Sequence, residues 1–135
     1  MIRIFVAEDN EVCRFAVKMA IKNESEMVLV GESADGFGVL DAVIVSKTEV
    51  AVLDLRMPGE DGISLTRKII EQRPDIRVVI CSSYDDRQTM ADARNAGAAG
   101  YVVKQGALHE LMQAIKSVAA GGTWFERNLE VIDSH

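Results

Sequence analysis

Acidic, hydroxyl and amino side chains follow four of the short apolar runs of this chain. These residues are Glu8, Asp9, Asp54, Ser82 and Lys104. Carboxylates that converge on one point repel each other unless a cation compensates them. Oxygen ligands of this kind suit Mg²⁺, with Mn²⁺ as an alternative. The metal, an ammonium and a hydroxyl could surround a transferred phosphoryl group, and the central Asp54 is the best candidate nucleophile because carboxylates form acyl phosphates.

The apolar runs themselves are predicted to be β-strands. They cover residues 2–7, 27–32, 50–53, 77–81 and 100–103. Several are apolar almost without interruption, which is typical of strands in a parallel sheet that is covered on both faces. The five candidate residues named above follow the carboxyl ends of these predicted strands.

Amphipathic segments separate the strands and are predicted to be helices. In the first of them the apolar residues recur at helical spacing, and Asn10 is a plausible N-cap. We expect its buried stripe to comprise Val12, Phe15, Ala16, Met19 and Ala20. Four similar segments follow the other four strands.

Five strand–helix repeats predict one α/β domain with a doubly wound, five-stranded parallel sheet and five flanking helices. Right-handed crossovers favour the strand order 2-1-3-4-5, the flavodoxin-like arrangement. In such sheets ligands bind beyond the carboxyl ends of the strands, at the switch point between the first and third strands. The fold is therefore expected to bring Asp9, Asp54 and Lys104 to one edge.

The composition limits the function further. The chain has 135 residues, enough for one domain. Its formal net charge of −6 makes it a poor candidate for binding the phosphate backbone of DNA by itself. No long apolar run or signal peptide is present in the sequence, so no membrane association is expected. Cys13 and Cys81 lack metal-binding spacing and are predicted to be two buried free thiols in a reducing cytoplasm.

The motifs together resemble the receiver domains of two-component response regulators. The matching stretches are Glu8-Asp9, residues 54–62 (DLRMPGEDG), Ser82 and residues 100–104 (GYVVK). The resemblance covers about residues 1–122, which we expect to form the receiver domain. Residues 123–135 are expected to be a tail or the start of a linker to an effector domain outside this chain.

The resemblance implies a role for each acidic residue. Asp54 would be the phosphoacceptor. Glu8 and Asp9 would hold Mg²⁺ together with Asp54, Asp9 being the more direct ligand. Arg56 would complete the metal shell with its backbone carbonyl. The reaction implied is transfer of a phosphoryl group from the phosphohistidine of a sensor histidine kinase, followed by slow hydrolysis, rather than the turnover of a separate enzyme.

The resemblance also implies a switch. Ser82 would turn toward the phosphoryl group, Lys104 would pair with it, and Tyr101 would move inward as Ser82 moves. Two positions depart from the common pattern of the family: Gln105 stands where proline is frequent, and Ser83 stands where alanine or glycine is frequent. These departures affect the turn after the fifth strand and the access of phosphate.

The stretches GAAGYVVK and AAGG are most similar to the NarL/FixJ (LuxR-type) subfamily, whose members usually carry a C-terminal helix-turn-helix domain. The implied output is transcription regulation, with DNA contacted only through that further domain. A homodimer through the fourth helix, fifth strand and fifth helix, or through the first and fifth helices, is also expected. A stand-alone receiver that acts by protein–protein contact is the alternative.

Two other functions use the same fold. A phosphatase with Asp54 as nucleophile would need a second acid two residues later, where this chain has Arg56. A flavin carrier would need a Ser/Thr/Gly-rich phosphate loop after the first strand, where this chain has acids. Trp124 and Phe125 lie outside the periodic part of the sequence; packing on the fifth helix and a role in an interface remain equally open.

Overall fold

Five parallel strands form a single sheet in the computed structural model, which describes residues 1–104 and 108–125. The strands are β1 (Ile2–Ala7), β2 (Met27–Ser33), β3 (Val50–Leu53), β4 (Arg77–Ser82) and β5 (Gly100–Val103). Their order is β2-β1-β3-β4-β5. The predicted strands and the predicted order are confirmed; β2 and β4 each extend one residue further, to Ser33 and Ser82.

Helices connect the strands. They are α1 (Glu11–Lys22), α2 (Val39–Val45), α3 (Gly62–Gln72), α4 (Arg87–Asn95) and α5 (Leu108–Ala119). Three of them begin at a side chain that accepts a backbone N–H of the first turn: Asn10 before α1, Asp61 before α3 and Asp86 before α4. These caps satisfy donors that have no partner within the helix. Within the described ranges, no helix is long and apolar enough to cross a membrane.

The core lies on both faces of the sheet, as expected for nearly continuous apolar strands. Successive side chains of a strand point to opposite faces, so Val52 and Val79 face α1 and α5, whereas Leu53 and Ile80 face α2, α3 and α4. Each of these side chains is at most 3% exposed. The central strands are therefore fixed from both sides, and so are the residues at their carboxyl ends.

The predicted buried stripe of α1 is wrong in part. Phe15 is 60% exposed and Val12 is 78% exposed, and Met19 is exposed as well, whereas Val17 and Ile21 are buried. The helix carries apolar residues around much of its circumference, so helical spacing fits two faces. Packing against β1 and α5 selects the face of Val17 and Ile21, and an apolar stripe of Val12, Phe15 and Met19 remains in contact with solvent.

Candidate functional site

The carboxyl edge of the sheet brings the predicted site residues together. Glu8 and Asp9 follow β1, Asp54 follows β3, Ser82 ends β4 and Lys104 follows β5. One carboxylate oxygen from each of Glu8, Asp9 and Asp54 lies within 4.8 Å of the other two. The backbone N–H of Lys104 donates to the carbonyl of Ser82 at 2.8 Å, so β4 and β5 hold these two residues side by side.

The three carboxylates differ in their access to solvent. Glu8 and Asp54 are buried, whereas Asp9 is exposed. Asp9 also lines an opening that Arg56, Met57, Pro58 and Gly59 border. The exposed Asp9 thus lies on the open side of the acidic cluster, whereas Glu8 and Asp54 lie beneath the surface.

Lys104 supplies the positive charge that faces the buried acids. Its ammonium lies 2.6 Å from a carboxylate oxygen of Glu8 and 3.0 Å from Oδ2 of Asp54. The other oxygen of Glu8 accepts the backbone N–H of Asn10 at 3.0 Å. The sequence placed Lys104 near the cluster, but adjacency in sequence does not show which of Glu8 and Asp9 turns toward it.

The charges of the cluster are not balanced. Burial, followed by the neighbouring Glu8, raises the pKa of Asp54 to about 7, although Lys104 lowers it. Burial opposes the ammonium of Lys104, but Glu8 and Asp54 together hold its pKa above the ordinary value. The buried carboxylates of Glu8 and Asp54 therefore share the ammonium of Lys104.

A divalent cation fits this donor set. Mg²⁺ prefers oxygen ligands and retains several waters, and the cluster offers carboxylates from Glu8, Asp9 and Asp54. Arg56 lines the same opening as Asp9. Its backbone carbonyl would need to lie near Asp9 to complete the metal shell as predicted. A cation here would also compensate the carboxylate of Asp54, whose pKa is raised in its absence.

The loop between β3 and α3 is held close to Asp54. The N–H of Gly62 donates to the carbonyl of Leu55 at 2.9 Å. A Cβ at Gly62 would lie 2.4 Å from the carbonyl oxygen of Asp54, so only glycine permits this approach. The N–H of Gly36, in the loop after β2, donates to the carbonyl of Pro58 at 2.8 Å and braces the loop from its other side.

Hydrogen bonds through Tyr84 connect the two predicted switch residues. The Oγ of the buried Ser82 accepts the N–H of Tyr84 at 3.2 Å. The hydroxyl of Tyr101 donates to the carbonyl of Tyr84 at 2.7 Å. The Tyr101 ring is 2% exposed, so it already points inward, and burial raises its pKa to about 12. Sequence reasoning missed Tyr84, because only its backbone makes these bonds.

The side chain of Arg56 has a contact of its own. Its guanidinium lies 5.1 Å from the centre of the Tyr84 ring, a cation–π distance. This stack joins the loop after β3 to the loop after β4, the two loops that flank Asp54 and Ser82. The sequence predicted a role only for the backbone of Arg56.

The remaining predicted features are placed as follows. Cys13 and Cys81 are free thiols, as predicted, but each is half-buried rather than fully buried. Burial raises the pKa of Cys81 to about 12, so it remains a neutral thiol. The departure at Gln105 lies outside the described residues. Trp124 contacts α5, where its indole Nε1 donates to Glu110 at 3.4 Å.

A comparison with known families agrees with this geometry. The sequence profile described as "Response regulator receiver domain" matches residues 4–116. The chain belongs to the response-regulator receiver family. Receiver domains of this family regulate other proteins and are mostly not enzymes in the usual sense.

Individual relatives place this receiver domain among the NarL and LuxR-type regulators. It is 38% identical over 121 residues to the DNA-binding transcriptional activator DevR/DosR of Mycobacterium tuberculosis. The matched region covers 90% of this chain and 56% of that protein. The chain thus spans about half the length of such curated relatives.

Solved structures agree with the fold and the subfamily. A LuxR-family response regulator from Aurantimonas sp. SI85-9A1 superimposes with a TM-score of 0.88 at 28% identity, over 95% of this chain and 91% of that one. The receiver domain of the putative response regulator NarL from Mycobacterium tuberculosis does so with a TM-score of 0.83 at 30% identity, over 89% of this chain and 97% of that one. The predicted family and the predicted fold class are confirmed.

Proposed function

We propose that this receiver domain accepts a phosphoryl group on Asp54 from a sensor histidine kinase, in a Mg²⁺-dependent reaction. The observation that carries the proposal is the arrangement around Asp54. Its carboxylate is buried within a cluster of three acids, 3.0 Å from the Lys104 ammonium. Phosphoryl transfer requires a nucleophile, a positive charge and a site for a metal ion. Here the nucleophile is Asp54, the positive charge is the Lys104 ammonium, and the acidic cluster offers the metal site.

The chemical step forms one bond and breaks one. A carboxylate oxygen of Asp54 attacks the phosphorus of the donor phosphohistidine, the P–N bond breaks, and the imidazole leaves with the electron pair and takes up a proton. The product is an acyl phosphate. When bound, Mg²⁺ supplies positive charge to the phosphoryl oxygens, and Glu8, Asp9, Asp54 and the carbonyl of Arg56 would hold it.

Lys104 has a second task in this proposal. Its ammonium bridges Glu8 and Asp54, so it stands within reach of a phosphoryl group on Asp54. A phosphoryl group brings about −1.5 to −2 charges and three acceptor oxygens. These oxygens compete with Glu8 for the ammonium and recruit the Ser82 hydroxyl.

Recruitment of Ser82 would act on the Tyr84 loop. Ser82 now accepts the N–H of Tyr84, whose carbonyl accepts the Tyr101 hydroxyl. A Ser82 that turns to the phosphoryl group gives up the first bond, and the loop adjusts around Tyr101. Phosphorylation would then shift the population between two packings of α4, β5 and α5.

The proposed output is transcription regulation in the cytoplasm. DevR/DosR is by name a DNA-binding transcriptional activator, and this chain covers only part of its length. Residues 1–122 would be the receiver unit. The net charge of −6 on the whole 135-residue chain disfavours its contact with DNA, so we assign that contact to a C-terminal domain beyond the receiver unit. A stand-alone receiver that works by protein contact is the alternative.

The exposed stripe of Val12, Phe15 and Met19 on α1 supports a docking role for this helix. The stripe begins three residues after Asp9, the exposed acid at the entrance of the cluster. A kinase helix that packs on it would bring its phosphohistidine to Asp54.

A phosphorylation-favoured homodimer, through α4, β5 and α5 or through α1 and α5, is proposed as well. Light scattering that gives one mass with and without an acyl-phosphate mimic and Mg²⁺ would contradict the dimer.

Intact mass measurement tests the main proposal. Incubation with acetyl phosphate and Mg²⁺ should add one phosphoryl group of about 80 Da. The Asp54→Ala variant should show no gain. Absence of any gain in the unaltered chain, with acetyl phosphate and with a kinase alike, would overturn the proposal.

A further inference from the structure

Residues 123–125 lie along the outer edge of β5, to which a parallel bridge at Trp124 joins them. The N–H of Trp124 donates to the carbonyl of Ala99 at 2.9 Å, and the N–H of Tyr101 donates to the carbonyl of Trp124 at 2.8 Å. Gly100 and Trp124 form a parallel bridge. The backbone after α5 therefore continues the sheet beyond β5.

The two aromatic side chains of this segment anchor it on opposite faces of the sheet. Trp124 packs against the core cluster beneath α1 and α5 and donates to Glu110 of α5. Phe125 is 9% exposed, belongs to the cluster beneath α2, α3 and α4, and has the guanidinium of Arg94 of α4 5.2 Å from its ring centre. A shift of α4 relative to α5 would therefore act on this segment from both sides.

Tyr101 connects the segment to the acceptor site. Its backbone N–H bonds to Trp124, and its hydroxyl bonds to Tyr84, which in turn bonds to Ser82. The path from Ser82 to Trp124 thus consists of three direct hydrogen bonds. Phe125 and the Tyr101 ring also lie in the same core cluster.

We propose that residues 123–125 form an output strand whose docking on β5 is strengthened by phosphorylation of Asp54. This inference rests on the proposed function. The docked strand fixes the position and direction of the chain up to Phe125. The signal then leaves the domain through a backbone pairing, in addition to any change of its surface.

The direction of the effect follows from the packing. The docked strand coexists with an inward Tyr101. An outward Tyr101 would break the bond to Tyr84 and open the cluster in which Phe125 is packed. Phosphorylation that holds Tyr101 inward therefore favours the docked strand. Because coupling between two sites is reciprocal, a docked strand also favours the phosphorylated state.

Trp124 makes the test direct, since it is the single tryptophan of the chain. The full 135-residue chain is titrated with beryllofluoride, an acyl-phosphate mimic, in the presence of Mg²⁺. Emission of Trp124 and hydrogen exchange of the Tyr101 amide are followed by fluorescence and NMR. We expect the Tyr101 amide to exchange about fivefold more slowly, or slower still, when the mimic is bound, with a change in Trp124 emission at the same concentration.

A pair of alanine variants tests the reverse direction. Phe125→Ala removes the anchor beneath α4 and should weaken beryllofluoride binding about fivefold, the lower end of ordinary coupling. Val45→Ala shortens an exposed apolar side chain on α2 and should leave that affinity unchanged. The exchange measurement on the unaltered chain decides the question even if Phe125→Ala does not fold.

The outcomes separate the two proposals. A gain of phosphoryl mass with unchanged Trp124 emission and unchanged Tyr101 exchange would overturn the output strand and leave the acceptor function intact. Faster Tyr101 exchange in the presence of the mimic would overturn the proposed direction. Failure to gain phosphoryl mass would overturn both.

Discussion

The ammonium of Lys104 lies 2.6 Å from a carboxylate oxygen of Glu8, closer than the 3.0 Å that separates it from Asp54. Glu8 therefore takes a large share of the positive charge that Asp54 would otherwise receive. Burial and this competition together leave Asp54 with a pKa of about 7. The acceptor is thus poised between its neutral form and the ionised form that can attack phosphorus.

Removal of the Asp54 charge should stabilise the metal-free protein at high pH. Because its pKa is raised from 3.8 to about 7 in the folded state, the ionised side chain opposes folding above pH 7, and this cost disappears as the pH falls toward 4. Asp54→Asn should raise the free energy of unfolding by about 2 kcal/mol at pH 8 and by little at pH 4.5. Urea titrations in a chelator measure this; an equal effect at both pH values would contradict it.

Binding of Mg²⁺ should strengthen as the pH rises through about 7. The ion requires the ionised form of Asp54, and at about a hundredfold excess over its dissociation constant it adds about 3 kcal/mol of stability. Thermal unfolding with Mg²⁺ and with a chelator, at pH 6 and pH 8, tests this. Asp9→Asn should reduce the shift, whereas Asp41→Asn, at an exposed acid of α2, should not. A shift that Asp9→Asn leaves intact would place the ion elsewhere.

Loss of the Lys104 charge should destabilise the domain in a way that an exposed lysine does not. Lys104→Met leaves two buried carboxylates without their cation and should cost about 2–4 kcal/mol at pH 8. Lys68→Met removes the partner of Glu60 at the surface and should cost less than about 1 kcal/mol. Chemical denaturation compares the two variants. Asp54→Asn in the Lys104→Met background should restore part of the loss; no restoration would argue against a charge effect.

The stack of Arg56 on Tyr84 should lengthen the lifetime of the acyl phosphate. It connects the two loops beside Asp54 and Ser82, and a contact of this type is worth about 0.5–1 kcal/mol. Arg56→Ala or Tyr84→Ala should therefore speed hydrolysis about two- to fivefold, measured as loss of phosphoryl mass after donor removal. The double variant should hydrolyse no faster than either single variant, and additive effects would show that the stack is not the cause.

The exposed ring of Phe15 should matter for the kinase and not for the chemistry. Phe15→Ser should change stability by less than about 0.5 kcal/mol and leave phosphorylation by acetyl phosphate unchanged. Transfer from the histidine kinase should show a KM about tenfold higher, as for loss of an interface anchor. Val45→Ser on α2, which is 79% exposed, is the matched control. An equal loss with both variants would remove α1 as the docking face.

Periodicity and motif spacing predicted the sheet and the positions of Asp54, Ser82 and Lys104, because in a parallel sheet the residue after each strand has only one edge to occupy. The same reasoning failed for α1. Its apolar residues fit two faces, and only the neighbouring α5 and β1 select Val17 over Phe15.

Contacts between residues far apart in sequence were the other features that remained hidden. The pairing of Glu8 with Lys104 depends on which way two consecutive acids turn. The stack of Arg56 on Tyr84 depends on the relative position of two loops. Neither geometry leaves a repeating pattern in the sequence. Trp124 and Phe125 stood out as large apolar residues beyond the periodic part, but their pairing with β5 required the sheet edge itself.

The bridge between Gly100 and Trp124 also bears on protein engineering. A chimera that joins this receiver to a different effector module would have to choose its fusion junction. Fusion directly after α5 would discard both aromatic anchors, whereas fusion beyond Phe125 keeps them. Responsive hybrids should therefore be found among fusions that retain Phe125, and fusions that begin only a few residues earlier should give a reporter output that no longer depends on the input.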